Sequence, residues 1–289
     1  GDREAAMTVP TLDDDEFKRL RTLIQSWCGI ALEDSKKYLV ESRLRDVVLE
    51  TGCASYGDFY QKACAGDVSL RDRIIDDMTT NETSWFRDGP FWKTVREVII
   101  PEAIAVARAE GRGRIAIWSA ACSTGQEPYT IGILLREMER ARELDGYRAD
   151  SFDILATDIS RAAISIAEAG RYDPISMSRG LDPLYRERFF AKSGRTSCLS
   201  EDVKKLVRFK RANLLDPFGA LGRFDVVFMR NVLIYFSSAC KNSILAKAGR
   251  ALHADGAVVV GATETPELYF DDFEVVRHGR STFYRVKEG

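Results

Sequence analysis

Apolar residues recur at helical spacing over the first quarter of the chain. Phe17, Leu20, Leu23, Ile24 and Trp27 share one face of a predicted helix. Asp13-Asp14-Asp15-Glu16 places acids in its first turn, and Cys28-Gly29-Ile30 ends it. A second helix is predicted from Ser35 to about Glu50. Tyr38, Leu39, Leu44, Val47 and Val48 form its apolar face, and Lys36, Lys37, Arg43 and Arg45 lie on the other. Short helices near Tyr56–Ala65 and Ser69–Met78 complete a helical bundle over residues 11–78. From Arg114 the period changes. Strands predicted at Arg114–Trp118, Phe152–Thr157, Val207–Arg211, Phe224–Met229 and Ala257–Gly261 alternate with helices at Tyr129–Leu144, Arg161–Ala169 and Ser238–Leu252. That alternation predicts a parallel sheet covered on both faces. Phe273–Arg277 and Thr282–Val286 flank His278-Gly279-Arg280-Ser281 and read as a closing antiparallel hairpin.

Residues 172–205 break the alternation. This segment is too long for an ordinary helix-to-strand loop. Lys192-Ser193-Gly194-Arg195 suggests a hairpin tip, so the segment reads as a small inserted β-subdomain. The fold class is therefore α/β, with a second domain over residues 79–289. A mostly parallel sheet finished by an antiparallel hairpin is the pattern of Rossmann-like class I methyltransferases. A nicotinamide dehydrogenase would continue with a second βαβ half.

The turn after the first strand changes the picture from fold to chemistry. It reads Trp118-Ser119-Ala120-Ala121-Cys122-Ser123-Thr124-Gly125-Gln126-Glu127-Pro128-Tyr129. Small side chains let a ligand approach the backbone, and a helix N-terminus offers unpaired N–H groups. Pro128 suits the first helical position. Glu127 sits where a carboxylate grips a ribose or a cationic group. The turn holds a single glycine, so it matches neither the dinucleotide fingerprint nor a Walker loop. A cofactor without phosphates fits better.

Composition narrows the classes. Charged residues make up 30% and the net charge is −2, which does not indicate general binding to nucleic acid. No apolar run approaches the length of a membrane span, and no signal-peptide core is present. The six cysteines are scattered without C-x-x-C pairs and there are two histidines. A zinc site is therefore not expected, and reduced thiols in the cytoplasm are.

Several residues stand where a ligand would lie. Asp158 ends the second strand, where an acid accepts from both ribose hydroxyls; it or Ser160 also suits a helix cap. Asn213, in Asn213-Leu214-Leu215-Asp216-Pro217, faces the adenine edge in such folds or simply makes a turn. Arg230-Asn231 follows a middle strand and lies at the crevice, with Tyr235 close behind as a rim or core residue. Asn81-Glu82-Thr83-Ser84-Trp85-Phe86-Arg87 is a linker, a docking segment or a lid over a cofactor. Cys122, near a helix N-terminus, is a packing residue in preference to an activated thiolate, since no histidine lies near it in sequence.

Five motifs in order carry a family resemblance: Asn-Glu-Thr-x-x-Phe-Arg, Ser-Ala-x-Cys-Ser-Thr-Gly-x-Glu-Pro-Tyr, Ala-Thr-Asp-Ile, Asn-Leu-Leu and Arg-Asn-Val-Leu-Ile-Tyr-Phe. With the helical N-terminal bundle, the chain resembles the CheR chemoreceptor methyltransferases over about residues 12–289. The resemblance implies methyl transfer from S-adenosylmethionine to receptor glutamates, giving γ-methyl esters and S-adenosylhomocysteine. It implies that Asn81, Thr83 and Arg87 face the cofactor from the connector. Glu127 and Asp158 would bind its amino-acid and ribose parts, and Asn213 and Leu214 would border adenine. Arg230 and Asn231 would line the crevice, and Arg87 and Tyr235 would approach the reacting end. The implied partner is the cytoplasmic helical methylation region of a chemoreceptor, met by a monomer through Lys36, Lys37, Arg43 and Arg45. The second helix is less basic than is usual in the family. The insertion is short beside members that recognise a receptor's C-terminal peptide tether, which points to tether-independent binding. Some relatives serve systems other than flagellar chemotaxis. A nucleic-acid methyltransferase is disfavoured by the acidic balance and the lack of an Asn-Pro-Pro-Tyr motif. A cofactor-responsive binding module is disfavoured by the intact polar set.

Overall fold

The computed structural model describes residues 10–265 and 273–287. The chain divides into two compact units, one ending at Thr80 and the other starting at Asn81.

The first unit is helical. Helix α1 (Asp14–Cys28) starts at a capping box, in which the Asp13 side chain accepts from Glu16 N and Glu16 reaches back to Asp13 N. The other Glu16 oxygen accepts from Gly57 N at 2.6 Å and so ties in α3. A 3₁₀ turn (Asp34–Lys36) leads into α2 (Lys37–Glu50), followed by α3 (Tyr56–Cys64) and α4 (Val68–Met78). The buried stripe of α2 is Val40, Leu44, Val47 and Val48. Tyr38, expected on that stripe, is 64% exposed. It precedes Val40 by two positions, and such residues do not share a helix face. The predicted basic face is also divided. Arg43 lies inward of solvent, with Nη1 donating to the Met78 and Thr79 carbonyls at 2.6 and 3.3 Å and Nη2 to Thr80 Oγ1 at 3.0 Å. It thereby satisfies carbonyls that the end of α4 leaves open. Lys37 pairs with Asp14 at 2.6 Å, while Lys36 and Arg45 stay exposed. Helical period sets Arg43 and Arg45 about 160° apart around the axis.

The second unit opens with α5 (Pro90–Thr94), a π-helical turn (Val95–Ile99) and α6 (Ile100–Ala109) in one rod. The sequence pattern yielded no element here. Ile100 N donates to Val95 O, five residues back, and Pro101 brings no N–H to restore the α ladder. There follow β1 (Ile115–Ala120), α7 (Gln126–Arg140), β2 (Phe152–Asp158), α8 (Arg161–Ala169), and then an insertion. The insertion comprises β3 (Arg171–Tyr172), α9 (Pro174–Ser178), α10 (Pro183–Phe189), β4 (Phe190–Ser193), β5 (Thr196–Leu199) and α11 (Glu201–Lys204). Its sheet has the order β3-β5-β4 and is antiparallel. The chain returns through β6 (Val207–Arg211), β7 (Phe224–Met229), α12 (Ser238–Arg250), β8 (Leu252–Val260), β9 (Phe273–His278) and β10 (Ser281–Val286).

The main sheet runs β6-β2-β1-β7-β8-β10-β9. Its first five strands are parallel, and β10 is antiparallel to both β8 and β9. This is the expected Rossmann-like sheet with its closing hairpin. Alternate side chains feed two cores: Ile117, Val226 and Phe228 on one face, Trp118, Val227 and Met229 on the other. Strand order reverses between β1 and β7, so the ligand crevice of such a sheet opens at their C-terminal ends. Residues 253–256, which fall between the predicted helix and strand, lie in β8. A bulge occurs there, since Phe224 opposes Leu252 but Val226 opposes Ala257, with Asp255 at φ 59°. Among the described residues no helix is long and apolar enough to cross a membrane.

Candidate functional site

The turn after β1 is strained. Ala121 and Ser123 have φ 56° and 51°, and Gly125 has φ 94°. Left-handed non-glycine residues cost energy and gather at ligand sites. A Cβ on Gly125 would stand 2.9 Å from Ala167 Cβ, so only glycine lets the turn pack on α8. Helix α7 begins at Gln126, which makes Pro128 its third residue and not its first as expected. The first turn lacks intrahelical partners for its N–H groups, so the proline still costs nothing there.

Asp158 joins two strand-end loops. Its oxygens accept from Ser123 N at 2.8 Å and Ser160 N at 2.9 Å. Ser160 caps α8 through Ala163 N, which resolves the choice of cap. Cys122 is buried, and that burial, with Asp158 and Glu127 nearby, pushes its thiol well above the ordinary range. It packs and is no thiolate nucleophile. Tyr172, at the root of the insertion, donates to Thr124 O at 2.9 Å and steadies the same turn.

Arg230 is the hub of the crevice. It follows β7 and its side chain is 2% exposed. Nη1 donates to Glu127 Oε2 at 3.2 Å, and Nη2 to Asp88 Oδ2 at 2.6 Å and to Arg87 O at 2.9 Å. Its guanidinium lies 5.0 Å from the Phe91 ring centre and 5.6 Å from that of Trp92. Glu127 also accepts from Ser119 Oγ at 2.9 Å. Burial raises the Glu127 carboxyl above its ordinary value, against the pull of Arg230. Within the protein its cationic partner is Arg230.

The connector is drawn into the same place. Ser123 Oγ donates to Asn81 O at 3.0 Å. Arg87 is half-buried, with Nη1 donating to Glu82 O at 3.3 Å. Thr83 is half-buried beside it. Phe86 and Asp88 have φ 44° and 62°, so strain recurs here. Trp85 is buried edge-on to Tyr172 and Phe190 of the insertion. Its backbone N–H donates to Arg179 O, and a Cβ on Gly180 would overlap its backbone carbonyl.

Two further loops border the crevice. Asn213 Oδ1 accepts from Leu215 N at 3.0 Å, the turn foreseen for it, and Leu214 is buried. Lys247 of α12 clasps this loop through the carbonyls of Leu214, Leu215 and Asp216 at 2.6 to 2.9 Å. Asn231 has φ 59°, and Tyr235 closes a 3₁₀ turn (Leu233–Tyr235), half-buried. Sequence reasoning missed Asp88, Lys247 and Glu264. Glu264 lies just past β8 and accepts from the backbone of the Asn231 loop. One histidine lies at the opposite end of the sheet, and the other lies at this end but three strand positions from β7. His253 sits in the bulge opposite the start of β7, and His278 ends β9.

The donor set suits a zwitterionic, phosphate-free ligand. Carboxylates at Glu127 and Asp158 serve amines and hydroxyls. Among the described residues, Arg230 Nε is buried without an acceptor. Among the described residues no group of His, Cys, Asp or Glu is placed to hold a metal ion.

Comparison with known proteins gives consistent matches. Residues 15–79 match the family model for the CheR methyltransferase all-alpha domain, and residues 81–280 that for the CheR methyltransferase SAM binding domain. The chain is 39% identical over 284 residues to the chemotaxis protein methyltransferase of Vibrio parahaemolyticus, covering 97% of this chain and 100% of that one. It is 38% identical over 273 residues to chemotaxis protein methyltransferase 1 of Pseudomonas aeruginosa, covering 94% and 98%. A Pseudomonas putida relative, chemotaxis protein methyltransferase Cher2, is 36% identical over 274 residues, covering 94% and 98%.

Proposed function

The chain belongs to the CheR methyltransferase family, with an S-adenosylmethionine-binding domain over residues 81–280, and on that premise we propose that it esterifies glutamate side chains of chemoreceptors. It is a methyltransferase of chemotaxis. The finer reading is a monomeric cytoplasmic enzyme that leaves glutamyl γ-methyl esters and S-adenosylhomocysteine. The cofactor supplies a methyl group on a sulfonium centre. In this reading Asp158 accepts from the ribose, and Glu127 and Arg230 hold the amino-acid end. Asn213 and Leu214 border the adenine, while Asn81, Thr83 and Asn231 complete the wall. Arg87 and Tyr235 orient the acceptor carboxylate.

One observation carries the reading: Arg230 ties the connector, through Arg87 O and Asp88, to Glu127 at the head of α7. The acceptor-orienting arginine and the cofactor-facing acid are thereby held in one cluster. No general base is required, because a glutamate of ordinary pKa near 4.3 is already ionised at neutral pH. His253 lies at the opposite end of the sheet, and His278 ends β9, three strand positions from β7. Positioning and exclusion of water then supply the acceleration. The pH–rate profile tests this. The rate is expected to fall below about pH 5 as the acceptor protonates, and to stay flat through the histidine range. A bell centred near neutrality would overturn the base-free mechanism.

The acidic methylation helices of a receptor would meet the outward cations of the first unit. Lys36 and Arg45 are exposed, whereas Lys37 is engaged by Asp14 and Arg43 by the end of α4. Arg45→Glu is therefore expected to raise the receptor KM severalfold in a salt-dependent way, with S-adenosylhomocysteine affinity unchanged. Arg43→Glu is expected to lower the melting temperature instead. A receptor KM in Arg45→Glu equal to that of wild type at low and high salt would exclude docking through this helix.

A further inference from the structure

Glu264 is a buried acid just past β8, 7% exposed, and among the described residues no cation pairs with it. Backbone N–H groups hold it. Oε2 accepts from Asn231 N and from Gly261 N, both at 2.7 Å, and Oε1 from Ile234 N at 3.3 Å. Its own N–H donates to Gly261 O at 3.0 Å, which closes a turn over residues 261–264. A buried carboxylate saturated by backbone donors is an organising group, since it fixes every peptide it touches.

The peptides it fixes are those of the loop after β7. Asn231 is held in a left-handed conformation at φ 59° with Glu264 on its N–H. Ile234 N, the second loop donor, immediately precedes Tyr235. The approach of β8 to this loop is close. A Cβ on Gly261 would stand 2.7 Å from Asn231 Nδ2, 2.8 Å from Glu264 Oε2 and 3.0 Å from Asn231 N. Only glycine permits that contact.

We propose that Glu264 is a positioning residue for methyl transfer: it fixes the Asn231–Tyr235 loop and thereby sets where the Tyr235 hydroxyl meets the acceptor carboxylate. The proposal rests on the reading of Tyr235 as an acceptor-orienting group. Glutamine keeps the shape and one acceptor oxygen, but turns an amide NH₂ toward a backbone donor. The loop must then shift, and a displacement of about 1 Å at a reacting group costs up to about a hundredfold in rate.

The test uses the full chain, radiolabelled S-adenosylmethionine and membranes bearing a chemoreceptor that the wild type methylates. Glu264→Gln is expected to lower kcat about ten- to a hundredfold, while the receptor KM stays within about twofold and the calorimetric affinity for S-adenosylhomocysteine, which Asn231 borders, falls by less than kcat. Combined with Tyr235→Phe, the Glu264→Gln loss should largely disappear, because both changes remove the same contact. Gly261→Ala keeps the acid but crowds both its Oε2 and the Asn231 loop, and is expected to show the same loss of kcat; it serves as the test if Glu264→Gln does not fold. Wild-type kcat in a folded Glu264→Gln or Gly261→Ala, or losses that multiply fully with Tyr235→Phe, would overturn the proposal. An unchanged kcat in Tyr235→Phe alone would instead overturn the role given to Tyr235.

Discussion

Arg230→Met is expected to remove measurable methyl transfer and to destabilise the protein by about 3–5 kcal/mol, the usual effect of breaking a buried ion pair from one side. Methionine fills similar space beside Phe91 and Trp92, so packing is largely kept. The cation is not. Glu127 is left with Ser119 Oγ as its remaining partner, and Arg87 O and Asp88 lose the group that joins them to β7. The connector then keeps the bond from Ser123 Oγ to Asn81 O but loses its tie to the end of β7. The double variant Glu127→Gln/Arg230→Met should recover much of the stability, because no buried charge is stranded, but none of the activity. Its pH dependence has a defined sign. Burial already raises the Glu127 carboxyl, and loss of Arg230 raises it further. An acid whose folded pKa lies above its unfolded value destabilises the fold above that folded pKa and ceases to do so below the unfolded one. The stability deficit of Arg230→Met should therefore shrink as pH falls from 7 toward 4, measured by chemical denaturation. A pH-independent deficit, or an active single variant, would remove Arg230 from the centre of the site.

Asp158→Ala is expected to weaken S-adenosylhomocysteine binding by two to four orders of magnitude. Two charge-assisted hydrogen bonds to a ribose are worth about 1.5–3 kcal/mol each, and about 1.4 kcal/mol is tenfold in affinity. The same carboxylate also takes Ser123 N and Ser160 N, so the strained turn after β1 loosens with it. Asp158→Asn separates the effects only in part, since its amide faces one of those donors. Calorimetry on both variants checks this. Affinity within tenfold of wild type in a folded Asp158→Ala would remove the ribose role.

Fold type was legible because burial follows period. Alternating strand and helix segments from Arg114 onward required a covered parallel sheet, and the final two runs required its closing hairpin. Errors arose where a second rule competed. Tyr38 is apolar enough to join the stripe of α2, but its position relative to Val40 turns it to solvent. Pro90 and Pro101 masked the rod from Pro90 to Ala109, although Val95, Ile99, Ile100 and Ile104 carry helical spacing. Candidate site positions at strand ends could be named because sheet topology dictates where ligands lie. Their partners could not be. Glu127 and Arg230 are 103 residues apart, and nothing local announces an ion pair of that span. Glu264 and Lys247 act on backbone groups, which carry no side-chain signature. Gly261 beside Glu264 was the only trace, a glycine at the end of a central strand.

The central claim is esterification of receptor glutamates, and it is tested most directly by the chemistry of the product. Receptor-bearing membranes are incubated with the enzyme and S-adenosylmethionine labelled in its methyl group, and the receptor band is then treated with mild alkali. The account predicts label on the receptor that is released as volatile methanol, and no label with Arg230→Met. Label that resists alkali, or that appears on nucleic acid and not on receptor, would contradict it.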